Sequence, residues 1–257
     1  NTVAVSAGPE QYGSFVVQFD SAGNYMDVSE FTYGPGFSEL TVLNTARGLD
    51  GSIYLAGIAW NVADFDHGPG VSKIADTDTN FLARYAANGD LVWVRGFELQ
   101  DDNCCSRESN FARGLEVDGN DNVHFAGFIQ QSFDTDPDPN TVFMIDVGSN
   151  VNSTFNTTAF VTTLAANGEF LAARSYAPQS ASGWSRIWDL TVSDDGTSHV
   201  GGRFNGLIDF DPGDDHDQIH ELSSAQGDAF LVTAFGPPLG IDRWWATVGD
   251  ERLVATV

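Results

Sequence analysis

The chain has 257 residues, with 36 acidic side chains against 11 basic ones and a formal charge of -25. A field of that sign repels phosphate backbones, so nucleic acid and anionic membrane surfaces are poor partners. Hydrophobic residues at 42% and aromatic residues at 12% exclude disorder, and the length suits one all-β domain over 1–257 or two smaller ones. No run of 18 apolar residues exists to span a bilayer. Bound divalent cations, a salty extracellular setting or simple solubility each account for the acidity.

A short apolar strand opens each of four similar segments, at Phe15, Phe81, Phe160 and Phe230 (FVVQFD, FLARYA, FVTTLA, FLVTAF). A small polar turn follows in the first three copies: SAGN at 21–24, AANGD at 86–90 and AANGE at 165–169. Asn-Gly pairs favour the positive φ values of tight hairpins. A second strand comes next, over 25–31, 91–97, 170–176 and 242–248. A third carries an arginine in each copy: Arg47, Arg113, Arg186 and Arg252. A fourth ends in small residues, as SIYLAG, NVHFAG and TSHVGG. No stretch has a helical period with caps.

Four short strands per unit, repeated, describe the blades of a β-propeller: four blades of four antiparallel strands. The last copy stops at its third strand. Residues 2–6 (TVAVS) are the expected donor of a closing strand. An arc of a larger propeller, a β-sandwich and a β-solenoid are the alternatives.

The pieces FVVQFDSAGN, FLARYAANGD, FVTTLAANGE, GNDNVHFAG and IDFDPG resemble the secreted bacterial β-propeller repeats of the SBBP-like or delta-60-like kind. The resemblance covers residues 15–257 and implies a secreted or cell-surface protein with no particular reaction. The chain begins at Asn1 with no signal-like stretch, as a processed secretory protein or an excised domain would. Two segments, 98–110 and 141–158, depart from the repeat and are expected as exposed loops.

Carboxylates recur at Asp64 and Asp66 (DFDHGPG), Asp134 and Asp136 (DTDPDPN), and Asp209 and Asp211 (DFDPGDD). Two hard oxygens in a tight loop suit calcium, and these six are the candidate ligands. Asp214, Asp215 and Asp217 extend the third copy. The alternative is a turn in which aspartate hydrogen-bonds to its own backbone. Asp118, Asn120 and Asn122 form a weaker oxygen-rich set that also reads as a hairpin turn. His124 and His199 occupy matching strand positions and read as structural. His216, Asp217 and His220 offer a transition-metal set. Cys104 and Cys105 are adjacent, so they cannot join distant parts of a fold. Trp60, Trp93, Trp184 and the pair Trp244–Trp245 raise stacking on sugar rings. Asn152 and Asn156 begin glycosylation sequons, expected to be unmodified in a bacterial protein. The recurring arginines, with Arg95 and Arg174, read as structural partners of the abundant carboxylates.

The function these features suggest is a non-catalytic extracellular module for binding, adhesion or scaffolding. Its partner is a protein or polysaccharide, with calcium as a candidate stabiliser. The alternative is a polysaccharide-active enzyme using a carboxylate pair drawn from Asp101, Asp102, Asp209 and Asp211.

Overall fold

A computed structural model describes residues 14–31, 39–60, 64–66, 79–98, 113–130, 132–138, 140–145, 157–179, 183–210, 221–234, 243–248 and 251–256. The expected closing strand at 2–6, Asp101, Asp102, Cys104, Cys105, Asn152, Asn156, Asp211, Asp214, Asp215, His216, Asp217 and His220 lie outside the described residues. The chain divides into two compact units, 1–98 and 99–257.

In the first unit, β1 (Ser14–Phe19) and β2 (Tyr25–Phe31) form a hairpin. The strands β3 (Glu39–Arg47), β4 (Ile53–Trp60), β5 (Thr79–Tyr85) and β6 (Leu91–Glu98) form a four-stranded meander. In the second unit, the order β12-β11-β8-β7 joins β7 (Gly114–Val117), β8 (Val123–Ile129), β11 (Thr158–Leu164) and β12 (Phe170–Tyr176). The short strands β9 (Phe133–Asp134) and β10 (Met144–Ile145) pair with each other. A five-stranded meander completes the unit: β13 (Trp184–Val192), β14 (Ser198–Asp209), β15 (Glu221–Ala234), β16 (Arg243–Val248) and β17 (Glu251–Thr256).

The all-β class and most strand positions match the expectation, but the propeller does not. Among the described residues the strands form five separate antiparallel sheets, and none closes into a propeller. The expected blades are also out of phase. The repeat reading opens each sheet on a phenylalanine strand, whereas β5 pairs back onto β4, β11 onto β8 and β15 onto β14. Each large sheet therefore begins with the third and fourth strands of one sequence unit and continues with the first two of the next. The opening hairpin is left as a two-stranded sheet, and β17 pairs with β16 as a fifth strand.

Those backward pairings share one contact. Phe81 lies opposite Gly57, Phe160 opposite Gly127 and Phe230 opposite Gly202. With no Cβ on the glycine, the ring lies across the neighbouring strand. A second ring then packs on it: Phe65 on Phe81 at 4.8 Å, Phe133 on Phe160 at 5.1 Å and Phe210 on Phe230 at 5.0 Å between centroids. All six rings are buried, and each contributes about 1.5–3 kcal/mol by leaving water.

The glycines answer to a second crowding as well. Bulges between Val42 and Asn44 in β3, and between Ile187 and Asp189 in β13, bend these strands over their partners. A Cβ on Gly57 would stand 1.9 Å from the Thr41 carbonyl oxygen, and one on Gly202 would stand 2.2 Å from that of Arg186. Gly57 and Gly202 are thus required from both sides.

The hairpin turns follow their sequence signals. Gly23, Gly89 and Gly168 hold φ between 80° and 90°, and their N–H groups donate to the carbonyls of Asp20, Ala86 and Ala165. In the second unit the β7–β12 sheet packs against β13, with Ala126, Val161, Ile187 and Leu190 in one core. Gly114 and Gly119 permit this, since a Cβ on either would strike Leu190 or the Asp194 carbonyl. Ser185 stitches the same junction. Its N–H donates to the Thr157 carbonyl, its hydroxyl donates to the Tyr176 carbonyl and accepts from the Ala159 N–H, and its own carbonyl accepts from the Thr157 hydroxyl.

Two adjacent glycines test the packing argument. Gly201 has nothing within 4 Å of a hypothetical Cβ, and its counterparts in the other copies are Ala56 and Ala126. Gly201→Ala is expected to change stability by less than about 0.5 kcal/mol. Gly202→Ala is expected to cost more than about 2 kcal/mol, because backbone and the Phe230 ring block the methyl. Urea unfolding of both variants measures the contrast, and equal midpoints would refute it.

Candidate functional site

The first two acidic turns are held by their own backbone. Asp64 Oδ1 accepts the Asp66 N–H at 3.1 Å. Between them Phe65 enters the core, and its carbonyl accepts the buried Tyr85 hydroxyl at 2.8 Å. Burial pushes the Tyr85 phenol well above its usual range, and the charges of Asp64 and Asp66 add to the shift. In the second copy Asp134 Oδ1 accepts two backbone N–H groups, from Asp136 at 3.0 Å and Phe143 at 2.8 Å. Asp136 Oδ1 accepts the Asp138 N–H, and its Oδ2 accepts the Thr141 hydroxyl at 2.6 Å. Asp209 lies at the end of β14, opposite Glu221 in register. Among the described residues, no three of His, Cys, Asp and Glu converge in a metal-holding group.

The ring contacts also set the correspondence between copies. Phe65, Phe133 and Phe210 are equivalent because each caps the phenylalanine paired to a glycine. Asp66 therefore corresponds to Asp134 and Asp211, whereas sequence spacing aligns Asp64, Asp134 and Asp209. The second copy is displaced by two residues.

A second cluster joins residues that the sequence presents separately. Asp118 opens the turn before β8; its Oδ1 accepts the N–H groups of Asn120 and Asn122, and its Oδ2 accepts the Asn122 amide at 2.9 Å. Asp121 completes this turn at φ 65°, where the other copies have Gly51 and Gly196. His124 Nε2 stands 3.2 Å from Asp118 Oδ2, and its Nδ1 stands 3.0 Å from the Thr163 hydroxyl. Asp118 and His124 are each 1% exposed and Thr163 is 6% exposed. The same rung carries His199 with Thr233 at 2.8 Å in one copy, and Tyr54 beneath Arg84 in another. The carboxylate is peculiar to the middle copy, where Asp118 stands in place of Gly48 and Ser193.

This Asp–His–Thr line has the atoms of a nucleophilic triad, but all three side chains are buried, and the recurrence of its His–Thr rung at His199 and Thr233 marks a cross-strand lock. Burial depresses the His124 imidazole below its usual pKa, while the Asp118 hydrogen bond and charge pull it partly back. Burial raises the Asp118 carboxyl, but bonds from Asn122, Asn120 and His124 outweigh it and hold the group below the usual carboxylate range.

The third cluster is aromatic and cationic. Arg113 lies over the rings of Trp188 at 5.0 Å and Phe128 at 5.7 Å. Arg186 lies over Phe128 at 5.0 Å and Trp184 at 5.6 Å. The result is a ladder in the order Trp188, Arg113, Phe128, Arg186, Trp184. Each desolvated rung of this kind stabilises by about 0.5–2 kcal/mol. Trp188 is the bulge residue of β13, turned outward and 46% exposed. Beside it, burial raises the Glu116 carboxyl and the charge of Asp189 adds to the shift.

Sequence reasoning placed the tryptophan hypothesis on Trp60, Trp93, Trp184 and the pair Trp244–Trp245, and of these Trp184 joins the ladder. Trp93 is buried, edge-on to Tyr54 at 6.0 Å. Trp188 went unnoticed because only the bulge turns it out. The repeating arginines are also not equivalent. Arg47 pairs with Ile53 at the end of β3, Arg186 pairs with Arg203 near the start of β13, and the Arg113 N–H bonds to the Ala126 carbonyl. Arg95 and Arg174 do correspond, opposite Leu82 and Val161, each one residue after its glycine-paired phenylalanine.

No protein-family model matches this chain, and no curated protein matches it either.

The His124 lock sets a pH dependence. A histidine with a depressed folded-state pKa favours the neutral form, so its contribution is complete above the unfolded value of about 6.5 and declines as pH falls below it. The depressed Asp118 carboxyl adds a second loss at lower pH, beginning below about 3.9. The midpoint of thermal unfolding is expected to fall between pH 7 and pH 5, and His124→Gln to flatten that slope. An unchanged slope in the variant would assign the titration elsewhere.

Proposed function

We propose that this chain is a non-catalytic binding module of an extracellular or cell-surface protein, serving adhesion or scaffolding, with a protein or polysaccharide as its partner. The observation that carries the reading is the Trp188 ladder. It combines an exposed indole, held by a bulge, with two guanidinium groups in a chain of strong net negative charge. An indole face stacks on the C–H face of a sugar, and arginine donates in a planar fork to hydroxyls or carboxylates. The buried acid–base cluster at His124 gives no support to chemistry on a substrate. The acidic composition and the resemblance to secreted repeats support an extracellular setting.

A glycan and protein-ligand array followed by titration tests the reading. Trp188→Ala is expected to weaken the bound partner about 30-fold, as loss of an aromatic anchor does, with circular dichroism unchanged. Binding that is indifferent to Trp188 would sink this placement.

Calcium enters the proposal through the carboxylate density at Asp64, Asp66, Asp134, Asp136, Asp209 and Asp211. A calcium concentration a hundredfold above the dissociation constant adds about 2.7 kcal/mol to the native state. The unfolding midpoint is then expected to rise with calcium and return with chelator, and an unmoved midpoint removes calcium from the reading.

A further inference from the structure

We propose that the inner edge of β1, the edge turned away from β2, is an acceptor for a glycine-bearing β-strand supplied by a partner, a strand of the kind that β4, β8 and β14 form within this chain. The site lies in the first unit and does not depend on the Trp188 surface.

The repeat itself shows what β1 lacks. Phe15 is the counterpart of Phe81, Phe160 and Phe230. Those three are 0%, 0% and 3% exposed because each lies across a glycine strand; Phe15 is 56% exposed. Phe19, the counterpart of Tyr85, Leu164 and Ala234, is 60% exposed where the others are 5% or less. On its other side β1 is complete. Phe15 pairs with Glu30 in β2, just as Phe81 pairs with Gly96 and Phe160 with Ser175. Among the described residues, β1 has the outer neighbour of the repeat and not the inner one.

A groove of about 550 Å³ occupies the inner place, lined by residues 14–17 of β1 and 42–45 of β3. Four consecutive residues line it on each strand. Side chains alternate along a strand, so an unbroken run means that backbone edges form the walls. That presents about 13 Å of strand edge. The Ser14 hydroxyl donates to the Leu40 carbonyl at 2.7 Å and ties β1 to β3. In the second unit, β11 and the bulged β13 correspond to β1 and β3. There β8 pairs with β11, and both β7 and β8 lie against β13.

The chemistry of the occupant follows from the copies. It is an extended segment whose backbone continues the ladder, the mode of strand addition to an open sheet edge. It carries glycine opposite Phe15, because a Cβ at Gly57 or Gly202 would meet the ring of its partner phenylalanine at 3.0 Å or 2.6 Å. An alanine or glycine precedes that residue, as at Ala56, Ala126 and Gly201.

A synthetic peptide with the sequence of residues 121–129, added to the intact protein, tests this directly. Site-resolved amide hydrogen exchange is expected to slow at least about tenfold in β1 at saturation. The same peptide carrying Gly127→Val should give no protection, and neither should the wild-type peptide with a Phe15→Ser protein. Phe15 is exposed, so that variant keeps its fold, and circular dichroism verifies it. No protection at millimolar peptide overturns the proposal, as does equal protection by the valine peptide. Two further outcomes also overturn it. Concentration-dependent self-association abolished by Phe15→Ser gives the edge to a second copy. Slow β1 exchange without peptide, lost on deleting residues 1–13, gives it to the chain's own start.

Discussion

The architecture rests on a phenylalanine ring laid across a glycine of the adjacent strand. Each pair, Phe81 with Gly57, Phe160 with Gly127 and Phe230 with Gly202, decides which strand a phenylalanine strand joins. A strand shifted by one residue would turn its ring to the opposite face and meet a side chain instead. Gly57 and Gly202 also lie beneath bulged strands, so one residue type satisfies two independent steric demands there. The second layer of rings, from Phe65, Phe133 and Phe210, then pins the segment that leaves each glycine strand.

Polar residues sort by whether the copies share them. Those that recur serve the chain itself, as in the imidazole–hydroxyl rungs at His124 and His199 and the aspartates that accept their own backbone N–H groups. Among those that differ, Asp118 is buried in the middle copy, whereas the residue at the strand bulge turns outward. The bulge position is the clearest case, with Leu43 in one copy, Trp188 in another and Arg113 at the corresponding place in the third. A bulge releases its residue from the in–out alternation of the strand, so its identity is free to change without disturbing the core.

Strand positions were legible in the sequence because hairpins are local. The segments at 25–31 and 170–176 are β2 and β12, and the Asn-Gly turns between strands fold as expected. Pairing was not legible in the same way. Whether Phe81 opens a sheet or joins one depends on Gly57, twenty-four residues earlier, and nothing local records that contact. The acidic segments misled for a related reason. The second copy is shorter by two residues, so matching the Asp-x-Asp pairs in order aligned aspartates that are not equivalent. Asp118 and His124 were each visible, one as a turn residue and one as a structural histidine. Their contact needed the β7–β8 hairpin to bring them within 3.2 Å.

The Ser185 junction has a mechanical consequence. Four hydrogen bonds connect the start of β13 with Thr157, Ala159 and Tyr176, and they lie together at one corner of the two sheets. Tension that draws β13 away from the β11–β12 hairpin loads these bonds at once rather than one after another. Bonds loaded together rupture together, so this junction holds up to a single yield point and does not open bond by bond.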